Sequence, residues 1–415
     1  MKRKLLKQIA NEWQSNVWLG IELLIVGVVI WYIADAIYTN ATIYCEPRGF
    51  DTEHCYLLGF DVLSDKSPDY KPYENNEQQN ADLVTLVERL EARPEIEAVG
   101  LGQNAFPYNG SNSGTALIID TLTSSGYCVR RYVTPGFLKV FKYTGTRGET
   151  PEQLAEILEK EPDAFFVSDN LYRRKGIEHM DGYIGRNFYN SANRDSIRLA
   201  GVLNVVRYSD FSPEAFSFSM VRGFGKGEYI YCQELVVRVK ENMDHDFADN
   251  IMKDSWKNLH VGNYYISSVR SFADIRDNFQ RSSYNEIRNK IVGVVFLLLN
   301  IFLGLLGTFW YRTQQRVNEI AIRKVNGATD SNIFRRMIGE GELILIMVLP
   351  LTIVVDYFLT HFELNTYYDG YFSLGRFIIC VLISWGLMAA MIALGIAIPA
   401  YRAMKLQPAQ ALSEE

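Results

Sequence analysis

Four long apolar stretches interrupt a chain whose other segments alternate as a soluble protein does: residues 18–38, 291–310, 343–359 and 377–400. A helix that spans a bilayer needs about 20 mostly apolar residues, and the four meet or approach that length. The third is the shortest and carries Pro350 at its middle, so a buried soluble helix competes with a span there alone. The first exceeds the roughly 7–15 apolar residues of a signal peptide and follows an amphipathic segment rather than a short basic tip. It reads as a retained anchor. In that leading segment Leu5, Leu6, Ile9 and Trp13 recur at helical spacing against Lys2, Lys4, Lys7 and Gln8. Such a pattern suits a helix lying in the membrane interface.

Between the first two spans the period changes. "YLLGFDVLS" (residues 56–64) reads as a strand, "ADLVTLVERLEAR" (81–93) as a helix with Leu83, Val84, Val87 and Leu90 on one face, and "IEAVGLGQNAF" (96–106) as a second strand. A matching series follows much later: a strand at 232–240, a helix at 247–259 and a strand at 264–272. Two βαβ-like units therefore bracket an inserted block, in which strand-like pieces such as "TALIIDTL", "AFFVSDNLY" and "IRLAGVLNVVRY" alternate with turn residues and one helix at 151–160. From Phe272 to the second span no turn signal appears, which predicts one helix running from this domain into the bilayer. With every backbone hydrogen bond internal, it would act as a stiff rod.

Charge sets the orientation. The net charge of −6 says little, because the two signs are sorted along the chain. Lys2, Arg3, Lys4 and Lys7 precede the first span, Arg312, Arg316, Arg323, Lys324, Arg335 and Arg336 lie between the second and third, and Arg402 and Lys405 follow the fourth. Residues 360–375 hold no lysine or arginine. By the positive-inside rule both termini and the 312–338 bend face the cytoplasm, and the long domain faces outward. Glu22, Asp35 and Asp356 fall near span ends, where interface placement is expected rather than an ion path.

The chemistry of a hydrolase is not visible. The histidines, His54, His179, His245, His260 and His361, show no H-E-x-x-H spacing, and no G-x-S-x-G elbow occurs. "RGFGKGEY" lacks the spacing of a phosphate-cradling loop. No Cys-x-x-Cys or histidine pair suggests a metal, and no cofactor or nucleic-acid partner is expected. Four cysteines, Cys45, Cys55, Cys128 and Cys232, lie in the outward segment and Cys380 in a span. A disulfide joining Cys45 to Cys55 would close the small loop "CEPRGFDTEHC", although spacing alone fixes no connectivity.

The bend between the second and third spans is built for more than charge. Val317, Ile320, Ala321 and Lys324 share a helical face, Gly327 supplies a stop, and Asp330 or Ser331 can cap a second helix whose apolar side is Ile333, Phe334, Met337 and Ile338. Two short amphipathic helices bent at a glycine make a knob displaying Glu319, Arg323 and Lys324.

"EIAIRKVNGAT" (residues 319–329) closely resembles the E-I-G-I-R-K-A-x-G-A-T motif of MacB/FtsX-type ABC transporter permeases, departing at Ala321, Val325 and Asn326. The tail "PAYRAMKLQPAQALSEE" resembles that family's ending through Pro399, Ala400, Arg402, Ala403, Pro408, Ala411 and Leu412. "RRYVTPGFLKVFKY", "AFFVSDNLYRRKG" and "IRLAGVLNVV" resemble pieces of its periplasmic core domain. The resemblance implies a non-catalytic permease subunit in a bacterial inner membrane. A separate ABC ATPase subunit would push on the knob, and motion would be relayed along stalk helices to a periplasmic domain. It also implies a second permease chain, identical or merely similar, and is compatible with a periplasmic adaptor. Carried over by position, Glu319, Arg323, Lys324, Gly327 and Ala328 are the ATPase-coupling candidates. A membrane-anchored receptor or a regulator of extracytoplasmic enzymes is the alternative function.

The expected fold is an α-helical membrane protein with four transmembrane helices plus a large α+β extracytoplasmic domain made of two βαβ-like units and an inserted strand-rich subdomain. The expected boundaries are an interfacial helix at 1–16, a first span at 17–39 and the outer domain at 40–284, with halves at 40–113 and 229–272 around an insert at 114–228. A stalk continuing into the second span follows at 273–311, then the coupling loop at 312–338, the third span at 339–360, an outer loop at 361–375, the fourth span at 376–400 and a tail at 401–415.

Overall fold

A computed structural model describes residues 13–110, 113–191, 195–365 and 373–405. The amphipathic leader and the last residues of the tail motif, Pro408, Ala411 and Leu412, lie outside the described residues. The chain divides into two units, one of Ile43–Ser283 and one made of the segments before and after it.

Among the described residues, four helices long and apolar enough to cross a membrane make up the second of these units. They are α1 (Trp13–Cys45) and, after the strand-rich unit with its helices α2 (Asn76–Glu91), α3 (Pro135–Val140), α4 (Pro151–Lys160) and α5 (Phe247–Asp254), the long α6 (Phe272–Gln315). A short α7 (Val317–Val325) precedes the last two, α8 (Asp330–His361) and α9 (Leu374–Lys405). The expected rod is continuous through all 44 residues of α6, and α8 passes Pro350 without a break. One core joins the four: Leu23 and Ile30 of α1, Ile301 and Leu305 of α6, Ile344 of α8, and Ile392 and Ile396 of α9. Small residues allow the close approach that membrane helices use. A Cβ on Gly395 would lie 3.2 Å from the Phe302 carbonyl oxygen, and one on Gly27 3.1 Å from Thr352 Cγ2.

Two of the three acidic residues of the spans are drawn into the helical unit. Asp35 and Asp356 are buried. Asp35 is held by Arg376, whose Nε and Nη2 each lie 2.6 Å from a carboxylate oxygen, and by Asn365 Nδ2 at 3.1 Å. Asp356 Oδ1 has no partner among the described residues. The sequence alone did not show this pair, because Arg376 lies 341 positions from Asp35 and only folding brings them together.

In the other unit twelve strands, among the described residues, form one hydrogen-bonded sheet. β1 (Cys55–Val62), β2 (Ile96–Gln103), β11 (Glu234–Val239) and β12 (Tyr264–Ser271) carry the two predicted βαβ series, with α2 between β1 and β2 and α5 between β11 and β12. They do not form separate halves. The order is β12-β1-β11-β2, all antiparallel, so each series has a strand of the other inserted between or beside its own. This is a split βαβ arrangement, in which neither series can close its sheet alone. Leu83, Leu86 and Leu90 of α2 pack with Phe247 and Ile251 of α5 on one side of it. Leu86 takes the place expected for Val84 and Val87, which lie at the margin.

The remaining strands extend the same sheet: β3 (Gly114–Thr115), β4 (Leu117–Ile119), β5 (Leu122–Thr123), β6 (Cys128–Val133), β7 (Phe165–Ser168), β8 (Asn187–Asn190), β9 (Ser196–Leu203) and β10 (Ser219–Gly223). Beyond β2 the order is β6-β10-β7-β9-β8-β4-β5, with β3 on β6. The β6–β10 and β7–β9 pairs are parallel.

The five cysteines are free. Cys45 is exposed, whereas Cys55 is buried with Sγ 3.3 Å from the Val140 carbonyl oxygen. Burial pushes its thiol up to about 12, which removes the thiolate that disulfide exchange needs. The structure does not bring the two together.

Candidate functional site

The bend begins where α6 ends. Arg316 leaves the helical region, with φ −108° and ψ 17°, and this single residue separates α6 from α7. At its far end α7 closes with the hydrogen bonds of a Schellman motif: the Gly327 N–H donates to Lys324 O at 3.0 Å and the Ala328 N–H to Arg323 O at 2.9 Å. Gly327 sits at φ +88°, a backbone conformation that L side chains enter at a cost and glycine enters freely. It is therefore the helix stop the sequence indicated. The following cap differs from the expectation. Thr329, not Asp330 or Ser331, caps α8, its hydroxyl accepting from the Asn332 N–H at 3.3 Å. That leaves Asp330 in the first turn, where a negative charge complements the helix dipole.

Behind the bend, Ile320 of α7, Ile333 of α8 and Ala403 of α9 form a small core with Ala328 and Met337 at its edge. Ala321 is fully buried, so the motif position that departs from glycine is filled by packing. Lys324 is not displayed. Its side chain is 14% exposed, Nζ lies 2.8 Å from Asp330 Oδ1, and it donates to the Met404 carbonyl oxygen at the end of α9. An ammonium at a helix C-terminus is favoured by the dipole, and here it ties three helices together. Of the five coupling candidates, then, Gly327, Ala328 and Lys324 shape and brace the knob, and Glu319 and Arg323 are on its surface.

Those two pair with each other one turn apart on α7, Arg323 Nε lying 3.1 Å from Glu319 Oε1. Beside them the exposed face carries residues that the charge-centred reading passed over: Ile322 at 53% exposure and Val325 at 66%. The signal was available in the sequence. If Ile320, Ala321 and Lys324 face inward, then 318, 319, 322, 325 and 326 face the other way, and two of those five are large and apolar. An exposed helical face with an apolar centre and a charged rim has the composition common at protein interfaces.

Residues 291–408, which hold the second span, the knob and the last two spans, match the family model for the FtsX-like permease C-terminal domain. The C-terminal part of the chain is similar to FtsX-like permease domains. A comparison with curated proteins gave no match. Four membrane helices with a large strand-rich unit between the first and second fit a MacB/FtsX-type permease. Four helices of membrane-spanning length and composition, with a match to this family model, fit a multi-pass membrane protein of permease type. That family's members are in general non-catalytic membrane subunits that work with a partner ATPase. The matched segment includes the whole knob, so the exposed face of α7 belongs to it.

Proposed function

We propose that the chain couples ATP hydrolysis by a separate cytoplasmic ATPase to movement of its strand-rich domain on the far side of a bacterial inner membrane, as one permease subunit of a paired export or extraction machine. Lys2, Arg3, Lys4 and Lys7 before α1, the six basic residues of the bend and Arg402 and Lys405 after α9 support a cytoplasmic knob. One observation carries the reading. The knob is rigid behind and open in front: Lys324, Ala321 and the glycine stop fix α7 against α8 and α9, while Glu319, Ile322, Val325 and Asn326 are exposed. Only a braced surface passes an applied push onward, and only an unoccupied one accepts a partner.

Because Glu319 and Arg323 satisfy each other, substituting either breaks an internal pair as well as any external one. The exchange Glu319→Arg with Arg323→Glu keeps the pair and reverses the pattern presented to a partner. In a reconstituted complex the exchange is expected to abolish transport-linked stimulation of ATP hydrolysis, and Ile322→Asp to release the ATPase from the membrane subunit. Full stimulation with both variants would refute the assignment.

A further inference from the structure

In the strand-rich unit a groove of about 410 Å³ opens between α2, the start of β2, α3, the end of α4 and the turn Lys226–Tyr231. That volume falls in the range of small-molecule sites, about 300–1,000 Å³. Its walls are fixed. A Cβ on Gly136 would lie 1.9 Å from the Val99 carbonyl oxygen, so α3 sits directly on β2. The Asn80 side chain of α2 holds the turn, donating to the Lys226 carbonyl oxygen and accepting from the Ile230 N–H at 3.2 Å.

Six ionisable side chains line the groove: Glu88 and Glu91 of α2, Glu97 of β2, Glu159 of α4, Lys139 of α3 and Lys226 of the turn. Among the described residues, no ion pair or side-chain hydrogen bond engages any of the six. Four carboxylates against two ammoniums leave an excess of two negative charges. Lys139 and Lys226 are near enough to Glu91 to pull its carboxyl down, yet burial pushes it up overall. A second feature points to a ligand. Tyr229 lines the same groove and is only 8% exposed. Its hydroxyl has no hydrogen-bond partner among the described residues and stands within electrostatic reach of Cys232, Glu91 and Glu159. Buried hydroxyls ordinarily have a partner. Val84, Val87 and Phe224 add half-buried apolar surface to the same walls.

We propose that this groove binds a small organic ammonium carried on an apolar body. Its N–H groups would be shared among the carboxylates of Glu91 and Glu159 and the Tyr229 hydroxyl oxygen, while its apolar part lies against Val84, Val87 and Phe224. A bare inorganic cation matches less well, because it makes no use of the apolar wall. The inference does not depend on coupling to an ATPase, and its test contains none.

The full chain in phosphatidylcholine discs is titrated with phenethylamine, hydrocinnamate and phenethyl alcohol, probes of similar shape that differ in charge. Saturation-transfer NMR follows binding, with empty discs as the blank, and thermal midpoints report folding. The amine is expected to bind saturably and about tenfold more tightly than either of the others. Glu91→Gln, which removes one charge at nearly constant shape, and Tyr229→Phe, which removes only the hydroxyl, should each weaken the amine about fivefold. Lys139→Gln should strengthen it, a gain that loss of folding cannot imitate. Amine binding no greater than in empty discs, equal binding of the three probes, or a preference for hydrocinnamate overturns the proposal, and this comparison in the wild-type chain decides whether or not the variants fold. Folded Glu91→Gln and Lys139→Gln chains that both bind the amine as the wild type does also overturn it.

Discussion

The two units of the molecule solve the same problem, the buried charge, by different means. In the strand-rich unit Arg207 and Arg238 are buried, and backbone oxygens satisfy them. Arg207 donates to the carbonyls of Ser212, Glu46 and Asp210, and Arg238 to those of Val140, Glu53 and Asp51, with the Asp51 carboxylate 3.3 Å away. In the helical unit the buried charges are met by opposite side-chain charges: Asp35 by Arg376, and Glu340 by Arg312 and Arg316. The cause is what the backbone has left to give. Loops between strands expose carbonyls with free lone pairs, whereas a membrane helix spends its carbonyls on its own amides. A cation entering the first environment finds acceptors already in place; one entering the second must bring a counter-ion. Asp356, buried without a partner among the described residues, is the exception that tests the rule.

The largest effect is expected where that counter-ion is removed. Arg376→Ala leaves Asp35 buried without this counter-ion, and breaking a buried ion pair from one side costs about 3–5 kcal/mol. Replacing both partners, Asp35→Leu with Arg376→Met, should recover most of it. Asp356→Leu should be neutral or stabilising, because it deletes a polar group with nothing opposite it. Thermal or denaturant midpoints of the chain in detergent check all three. If Asp356→Leu destabilises as much as Arg376→Ala, the rule for the helical unit is wrong.

A smaller effect is expected from the backbone-satisfied side. Arg238→Met strands the carbonyls of Val140, Glu53 and Asp51, at a cost of about 3 kcal/mol in total. Arg238→Lys should recover only part of this, since an ammonium cannot reproduce a fork that reaches three oxygens. The same unfolding measurements decide it. Equal stability of the lysine and wild-type chains would show that charge, not geometry, is what the three carbonyls require.

How much of this was written in the sequence depends on how local each feature is. Span positions follow from composition alone, and α4 falls at the predicted residues because Pro151 and the apolar positions Leu154, Ala155 and Leu158 all lie within ten residues. The two βαβ series were also visible. Their interleaving was not, because β1 pairs with β11 across the whole insert, and no local pattern records which strand a neighbour is. At the knob, Gly327 was legible as a stop because its φ is a property of one residue. The brace at Lys324 was not, since its acceptor is the carbonyl of Met404, 80 positions on. Ile322 and Val325 were legible in principle through helical phase and were passed over because charge drew the attention.

Asp210 sharpens the comparison with the smallest of the expected effects, because it is a carboxylate in the strand-rich unit that is treated as the helical unit treats its own. It is buried, the Tyr108 hydroxyl donates to Oδ1 at 2.7 Å, and Arg276 Nε donates to Oδ2 at 2.7 Å. Burial pushes its carboxyl up, but the hydrogen bonds from Tyr108 and Arg276 outweigh that and hold it below the ordinary aspartate range. A folded-state value below the unfolded one of about 3.9 means that the unfolded chain takes up the proton first. The stabilisation is therefore complete above about pH 5 and is lost as the pH falls through 3.9 toward the folded value. Asp210→Asn should cost about 1.5 kcal/mol at neutral pH, and it should remove part of the acid dependence. Melting the wild-type and substituted chains from pH 7 down to about pH 3 is expected to give curves that converge on the acid side. Parallel curves would mean that Asp210 gains nothing from its charge, and that carboxylates in this unit, like its arginines, are held by geometry alone.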